Sequence, residues 1–310
     1  MLTTSSKLLL LQTNPDARLF WIGVIYSLLG VSIIPIYAIV IYTLHIRNEL
    51  RENVSYKLIN LLNYCDVFQS ICHVFTGSFV IFPVLAARID VFVRIVGCTA
   101  NTLWLATFVV LAVLATARIR IAFFNLKATK WGGWMKSALS VGAIYILFVW
   151  IAGCVTQNFQ LTAASWSYDM TVPFADVFAQ LELVLCYPVL LLSFCSYALI
   201  SLSIYRKRRS SQSHLSRRVE LGILIQATIL TVYMAGLIAL WHNAEDWFDM
   251  NNITLAALNS VWILFSYLNI FLLLAVNSAV RRQFLMIVSR KESLKSRFSS
   301  KITVSVAAVG

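Results

Sequence analysis

The fold is decided by residues 19–44, which read LFWIGVIYSLLGVSIIPIYAIVIYTL. This stretch contains no charged side chain. A helix needs about 20 mostly apolar residues to cross the hydrocarbon core of a bilayer, because each residue adds about 1.5 Å of rise. The stretch is therefore predicted to be a transmembrane helix.

Six further long apolar stretches follow, at residues 58–85, 96–117, 137–155, 174–205, 221–241 and 253–279, and acidic residues interrupt only the second and fifth of the seven stretches. The 310 residues are 60% hydrophobic and only 12% charged, with a mean hydropathy of +0.80. A soluble domain carries about 25% charged residues, so the composition excludes a soluble enzyme, a nucleic-acid-binding module and a disordered protein. The sequence predicts an all-α membrane protein. We expect an N-terminal segment 1–18, a seven-transmembrane helix bundle over residues 19–288 that ends in a short amphipathic helix, and a tail 289–310.

Lysine and arginine are concentrated in segments that would lie on one side of the membrane. Of the 25 basic residues, 21 fall after the first, third and fifth stretches and in the tail. The remaining four are Lys7, Arg18, Arg88 and Arg94. Because cytoplasmic loops are enriched in Lys and Arg, the N-terminus is predicted to lie outside and the C-terminus inside. The net charge of +12 is interpreted as this orientation signal and as attraction to anionic lipid, not as a nucleic-acid footprint.

Tryptophan residues stand near both ends of the stretches. This placement is typical of the aromatic belts at the two membrane surfaces. The outer belt is predicted to contain Trp21, Trp241 and Trp247, and the inner belt Trp131 and Trp134.

The sequence contains no pattern that indicates catalysis, a metal site or a cofactor. The four histidines are scattered and never stand at i, i+4, the spacing that a helical metal site needs. The seventh stretch contains no lysine, which excludes a retinal Schiff base there. A Gly-rich phosphate loop and a nucleophile elbow are likewise missing, so we expect a protein that is not an enzyme.

Two of the six cysteines differ in position from the rest. Cys98 and Cys154 lie near the predicted outer ends of the third and fourth stretches, facing an oxidising compartment. Two interpretations stay open at this point, a disulfide between the two helices and a pair of small apolar filling residues.

Several polar side chains fall inside the apolar stretches, where a charged group costs about 2.5–3.5 kcal/mol to insert. Asp66 lies in the second stretch, with His73 two helical turns further out on nearly the same face. Glu182 lies deep in the fifth stretch. The seventh stretch places three more groups on one face, namely Trp262, Ser266 and Asn269. These residues fit either plain helix packing or a ligand-binding and coupling role.

Short motifs within the stretches extend this pattern. Residues 58–66 read LINLLNYCD and end on Asp66, residues 115–118 read ATAR and end on Arg118, and residues 269–273 read NIFLL. In these motifs the chain resembles the rhodopsin-like G-protein-coupled receptors. The aspartate of the family's second span falls on Asp66, the inner arginine of its third span on Arg118, and its Asn-Pro-x-x-Tyr segment on residues 269–273.

The resemblance extends to three other parts of the chain. Trp150 and Pro188 stand where the family has the tryptophan of the fourth span and the proline of the fifth. Residues 277–284, NSAVRRQF, resemble the start of the amphipathic helix after the seventh span.

Departures from the family pattern point to a subgroup. Ala117 replaces the acidic partner of the inner arginine, the sixth span lacks Trp-x-Pro, and the seventh lacks its proline and tyrosine. Cys98 also lies closer to Arg118 than the family spacing. The Ser55-Tyr-Lys start of the second span, with Gly77 and Trp104, looks like the nematode serpentine chemoreceptors of the class T and class X group. This resemblance covers about residues 19–290.

The resemblance implies a chemosensory receptor in the plasma membrane of sensory neurons. It implies that Arg118 receives the α-subunit tail of a heterotrimeric G protein, and that Asp66 and Asn269 act in activation and coupling. Counting back from Arg118 in helical turns puts Leu114, Leu111, Thr107 and Trp104 on one inward line. We therefore expect a small-molecule ligand in an outer-half cavity lined by His73, Trp104, Thr107, Glu182, Trp262 and Ser266.

A ligand-gated channel subunit or a small membrane transporter is the alternative from another functional class. Transporters are often built from repeated halves with broken helices, and the sequence shows no such repeat. Insect-type olfactory channels have seven spans in the opposite orientation, which conflicts with the basic segments described above.

Overall fold

The computed structural model describes residues 11–124, 132–206 and 214–289. Seven long helices account for most of these residues. They are α1 (Ala17–Ile46), α2 (Val54–Ile81), α3 (Asp90–Phe124), α4 (Gly133–Thr156), α5 (Ala175–Arg206), α6 (His214–Trp247) and α7 (Asn252–Val276). Short helices Asn48–Glu52 and Pro83–Arg88 precede α2 and α3, and residues 278–289 form a further helix, α8. Most of the predicted N-terminal segment and tail, together with Trp131, lies outside the described residues.

Six of the described helices, all except α2, are long and apolar enough to cross a membrane. Helix α2 is less apolar because a series of polar side chains follows one of its faces. Those side chains point into the bundle, since Asn63, Asp66, Gln69, Ser70 and His73 are all buried.

Large apolar side chains cover the outside of the bundle. On α4 the most exposed are Val141, Ile144, Phe148 and Val155, and Val155 is 77% exposed. Apolar groups outside and polar groups inside are the arrangement that a lipid solvent favours. The structure thus confirms the predicted all-α seven-helix bundle of a membrane protein.

Helix α3 occupies the centre of this bundle and packs against α2, α4 and α5. Its predicted inward line is buried along its whole length, at Trp104, Thr107, Leu111 and Leu114.

Helices α1 and α2 approach each other closely at a pair of glycines. A Cβ atom on Gly77 would lie 2.5 Å from the carbonyl oxygen of Gly23. Small residues at such a contact allow two backbones to meet, which is a common way to pack helices in lipid.

An antiparallel β-hairpin between α4 and α5 covers one end of the bundle. Its strands are β1 (Phe159–Thr162) and β2 (Ser165–Tyr168), with Phe159 opposite Tyr168. The Trp166 indole is 1% exposed and donates to the Thr76 hydroxyl on α2 at 3.1 Å. The Tyr26 hydroxyl on α1 lies 2.8 Å from the carbonyl oxygen of Ala164 and 3.0 Å from that of Ala256 on α7. We call this end of the bundle the outer end, following the predicted orientation.

Several helix ends differ from the predicted stretches, and α3 extends beyond its stretch at both ends. Helix α2 ends at Ile81 although the apolar stretch continues to residue 85, because Pro83 lacks a backbone donor and disfavours the α conformation at Phe82. Helix α6 continues to Trp247, six residues beyond the predicted end at Trp241.

Candidate functional site

A small cavity lies directly beneath the hairpin, between α3, α5, α6 and α7. It has about 290 Å³ of empty space, part of which is open to the surroundings, and the centre of a water molecule can reach about 20 Å³. Its walls are formed by Asn101, Trp104, Phe159, Glu182, Leu237, Ile238, Trp241 and Trp262. As it stands, the cavity accommodates about one water molecule, so a larger ligand requires the surrounding side chains to move.

The inner side of the cavity is closed by a layer of aromatic rings. The Trp262 ring meets the rings of Trp241 and Trp104 edge to face, with centroids 5.5 Å and 6.3 Å apart. Trp104 in turn packs against Phe265 at 5.2 Å. Edge-to-face packing of this kind fixes ring orientation, so displacing one ring by a ligand would displace its neighbours.

Glu182 of α5 is the acidic group of the cavity, and it is 5% exposed. Its Oε2 accepts a hydrogen bond from the Tyr168 hydroxyl at 2.7 Å, and that hydroxyl accepts one from Asn101 Nδ2 at 2.9 Å. Burial raises the pKa of the Tyr168 hydroxyl well above its usual value, so it remains a donor at neutral pH. The hairpin is therefore joined to α5 and α3 through the Tyr168 hydroxyl.

A second polar link holds the segment after β2 against α3. Arg94 Nη1 lies 2.9 Å from Asp169 Oδ2, and Arg94 Nε lies 2.8 Å from Asp90 Oδ2. Hydrogen bonds from Thr171 and then from Arg94 hold the pKa of the Asp169 carboxyl below its usual value. This link and the Tyr168 bond fix the cover of the cavity at two points.

Three of the six predicted ligand-binding residues line the cavity, namely Trp104, Glu182 and Trp262. His73 lies behind Trp262, with its ring 5.1 Å from the Trp262 ring. Thr107 and Ser266 are buried but do not belong to the cavity wall. Thr107 lies one turn deeper than Trp104, below the aromatic layer. Its hydroxyl bonds to its own helix at the Leu103 carbonyl, at 3.2 Å.

The structure adds five residues to the cavity wall, namely Asn101, Phe159, Leu237, Ile238 and Trp241. Asn101 stands one turn from Trp104, so helical phase alone could have identified it. The structure differs from the predicted outer belt at Trp241, which lines the cavity. The other two members of the predicted belt, Trp21 and Trp247, are 61% and 55% exposed.

The predicted coupling residues Asp66 and Asn269 meet in the middle of the bundle. Asn269 Nδ2 and the Tyr37 hydroxyl both donate to Asp66 Oδ2 at 2.6 Å. Asn269 Oδ1 accepts from Gln226 Nε2 at 3.1 Å. The Asp66 Oδ2 oxygen therefore connects α1, α2 and α7, and the Asn269 amide extends this buried network to α6.

Arg118 lies near the inner end of α3 and is partly buried. The phenol groups of Tyr56 on α2 and Tyr197 on α5 are its electrostatic neighbours. Its position at the junction of α2, α3 and α5 is separated from the cavity by about four turns of α3, from Trp104 to Arg118.

The two cysteines Cys98 and Cys154 are direct neighbours, and both are recorded as free thiols. The Cys98 Sγ also lies 3.8 Å from Asn158 Oδ1, just before β1. A disulfide between them stays a prediction.

Comparison with known proteins identifies the family. The model of the family described as "Serpentine type 7TM GPCR chemoreceptor Srt" matches residues 11–297. The chain belongs to this family. The predicted resemblance to serpentine chemoreceptors is therefore confirmed, and the Srt-family chain is a multi-pass membrane protein of the receptor type.

The fold of this Srt-family receptor is also found among solved structures. It is similar to the crystal structure of squid rhodopsin, with a TM-score of 0.61 and 14% sequence identity over 87% of this chain and 85% of that chain. A likeness at this identity shows the fold alone. A comparison with curated proteins finds no match.

Proposed function

We propose that this receptor binds a small-molecule ligand in the cavity beneath the hairpin and thereby activates a heterotrimeric G protein. The observation that carries the proposal is the cavity itself, whose walls combine one acid with three indole rings. Small-molecule sites are typically concave and mostly apolar, with a few polar groups that orient the ligand. The cavity has these properties.

One hydrogen bond and two helices link the cavity to the middle of the bundle. Trp262 Nε1 donates to Gln69 Oε1 at 3.0 Å, and Gln69 stands one turn from Asp66 on α2. On α7, Asn269 stands two turns below Trp262. A ligand that shifts Trp262 would move Gln69 on α2 and the part of α7 above Asn269, and this favours a coupling role for Asp66 and Asn269.

The inner end of the bundle is the proposed site of the G protein. An arginine at the cytoplasmic end of a helix can bond the terminal carbonyls of a docked helix, and surrounding basic residues attract an acidic partner. Arg118 is the residue proposed for this contact. The proposal includes the plasma membrane of sensory neurons as the location, with the N-terminus outside and the C-terminus inside, as the basic residues indicate.

The test is a ligand screen in cells that report G-protein activation, repeated with a variant that fills the cavity. Leu237→Trp adds an indole to the cavity wall, whereas Val232→Trp adds one to the 54% exposed face of the same helix. At equal surface display, Leu237→Trp is expected to lower agonist potency by about tenfold or more. The added indole overpacks the cavity wall, which reduces the binding free energy of the ligand by about two kcal/mol. Val232→Trp is expected to respond like the wild type.

Two outcomes contradict the proposal. A Leu237→Trp receptor with unchanged potency would place the ligand elsewhere. A ligand-gated current in cells without any G protein would favour a channel.

A further inference from the structure

The charge of the cavity identifies the class of ligand that it fits. Glu182 is buried, and the two side chains that hydrogen-bond around it, Tyr168 and Asn101, are neutral donors. Within residues 11–124, 132–206 and 214–289, the recorded salt bridges are those of Arg94, and neither includes Glu182. A carboxylate enclosed in this way has no positive partner of its own among the described residues.

The rest of the wall is also suited to positive charge. Trp104, Trp241 and Trp262 line the cavity together with the Phe159 ring. The faces of indole rings attract cations, and the attraction is stronger when the cation is removed from water. An anionic ligand would be repelled by the Glu182 carboxylate, whereas a cation would supply the counter-ion that the described residues do not provide.

We propose that the ligand is a small organic cation, a protonated amine or a quaternary ammonium, bound between the Glu182 carboxylate and the three indole rings. This inference rests on the proposed function, since it specifies the ligand of the same cavity. The cavity as it stands has room for about one water molecule, so the ligand must be small, and the indole rings must move apart to admit it. Glu182 fixes the position of the charge, and the rings exclude water from it.

The experiment compares probes of one shape that differ in charge. Full-length purified receptor in detergent is heated with tetramethylammonium, with choline, or with 3,3-dimethylbutan-1-ol, which has the shape of choline without its charge. Both cations are expected to raise the midpoint of thermal unfolding, because a ligand that binds the folded state stabilises it. The neutral alcohol is expected to raise it much less.

Three variants locate the effect. Glu182→Gln keeps the size and hydrogen bonding of the side chain but removes its charge, and it is expected to weaken choline binding about tenfold or more. Trp241→Leu is expected to weaken choline more than the neutral alcohol, because it removes a ring but retains an apolar wall. Asp176→Asn, on the exposed first turn of the same helix, is the matched control and is expected to bind choline like the wild type.

The proposal is overturned if the neutral alcohol stabilises the receptor as well as choline, since Glu182 would then act as a protonated hydrogen-bond donor to a neutral ligand. It is also overturned if Glu182→Gln retains the cation effect, or if no ammonium probe stabilises the wild type at millimolar concentration. The Leu237→Trp test of the proposed function uses any compound that activates the cells, whatever its charge. Failure of the cation proposal is therefore distinguishable from failure of the cavity proposal.

Discussion

Single buried carboxyl groups organise this protein at the residue scale. Asp66 is fully buried, and two neutral donors, from Tyr37 and Asn269, converge on one of its oxygens. Removing the carboxyl group would leave these buried donors without an acceptor, at a cost of about 1–3 kcal/mol for each donor. Asp66 bonds to both α1 and α7. Comparing an asparagine with a leucine at this position separates the effect of its charge from that of its hydrogen bonds.

Asp66→Asn is expected to keep surface expression but to change agonist potency or efficacy. Asparagine retains an oxygen for Tyr37 and Asn269, so the packing is preserved while the charge is lost. Asp66→Leu removes both acceptors and is expected to lower surface display as well. Display by flow cytometry and signalling by the reporter assay measure the two effects. Unchanged signalling in Asp66→Asn would leave Asp66 with a packing role only.

The Asp169 carboxyl gives a pH dependence that can be measured. Its pKa is lowered in the folded protein by Thr171 and Arg94, so it contributes stability above its unfolded pKa of about 3.9. That contribution is lost as the pH falls below this value, through the lowered pKa of the folded state. Asp169→Asn is expected to lower the thermal midpoint at pH 7, and the difference from the wild type is expected to shrink at pH 3. A difference that is equal at both pH values would exclude the ionised carboxylate as the cause.

At the scale of elements, the hairpin acts as a cover that packs through a single tryptophan. Trp166 inserts between α2 and α3, and its ring stacks on Phe159 with centroids 5.9 Å apart. On α3, Gly97 provides the space for this ring, because a Cβ atom there would overlap the indole of Trp166. The packing of the hairpin on the bundle thus depends on the absence of a Cβ atom at Gly97.

Gly97→Ala is expected to destabilise the receptor by about 1–3 kcal/mol, because the enclosed ring has no free space into which to move. The matched control is Gly236→Ala on α6, where an added Cβ meets nothing within 4 Å. There the same substitution is expected to be neutral or to stabilise by up to about 1 kcal/mol through helix propensity. Thermal unfolding of the two purified variants measures the contrast. Equal midpoints would show that the hairpin is not held by this contact.

The hairpin could not be predicted from the sequence, because its turn lacks the usual residues. Ala163 and Ala164 connect the strands, and Ala163 adopts a φ of 50°, where glycine or asparagine is expected. Its strands have four residues each, which is too short for a clear alternation. The position of Trp241 could not be predicted either. Trp241 stands at the end of the apolar stretch, whereas α6 continues beyond it to Trp247, past the first acidic residues that follow the stretch.

At the scale of the whole molecule, the pattern of hydrophobic stretches was sufficient for the bundle, and helical phase was sufficient for the faces. Trp104 and Thr107 both face inward as expected, yet only Trp104 reaches the cavity. Phase gives the direction of a side chain but not the depth at which the aromatic layer closes the cavity. That depth depends on contacts between α3, α6 and α7, which are distant in sequence.

The separation of the two ends of α3 leads to a prediction for the G-protein contact. Arg118→Ala is expected to abolish activation while ligand binding and surface display remain nearly normal, because Arg118 lies far from the cavity. Arg120, two residues further along α3, lies 4.9 Å from the centre of the Trp134 ring and provides the matched control. Arg120→Ala loses a cation–π contact worth about 0.5–1 kcal/mol but is expected to keep activation. Nucleotide exchange on purified heterotrimer, after tags on each terminus have established the orientation in cells, measures both variants. Normal exchange with Arg118→Ala for every G protein tested would remove Arg118 from the contact and move the search to the basic segments that flank α5 and α6.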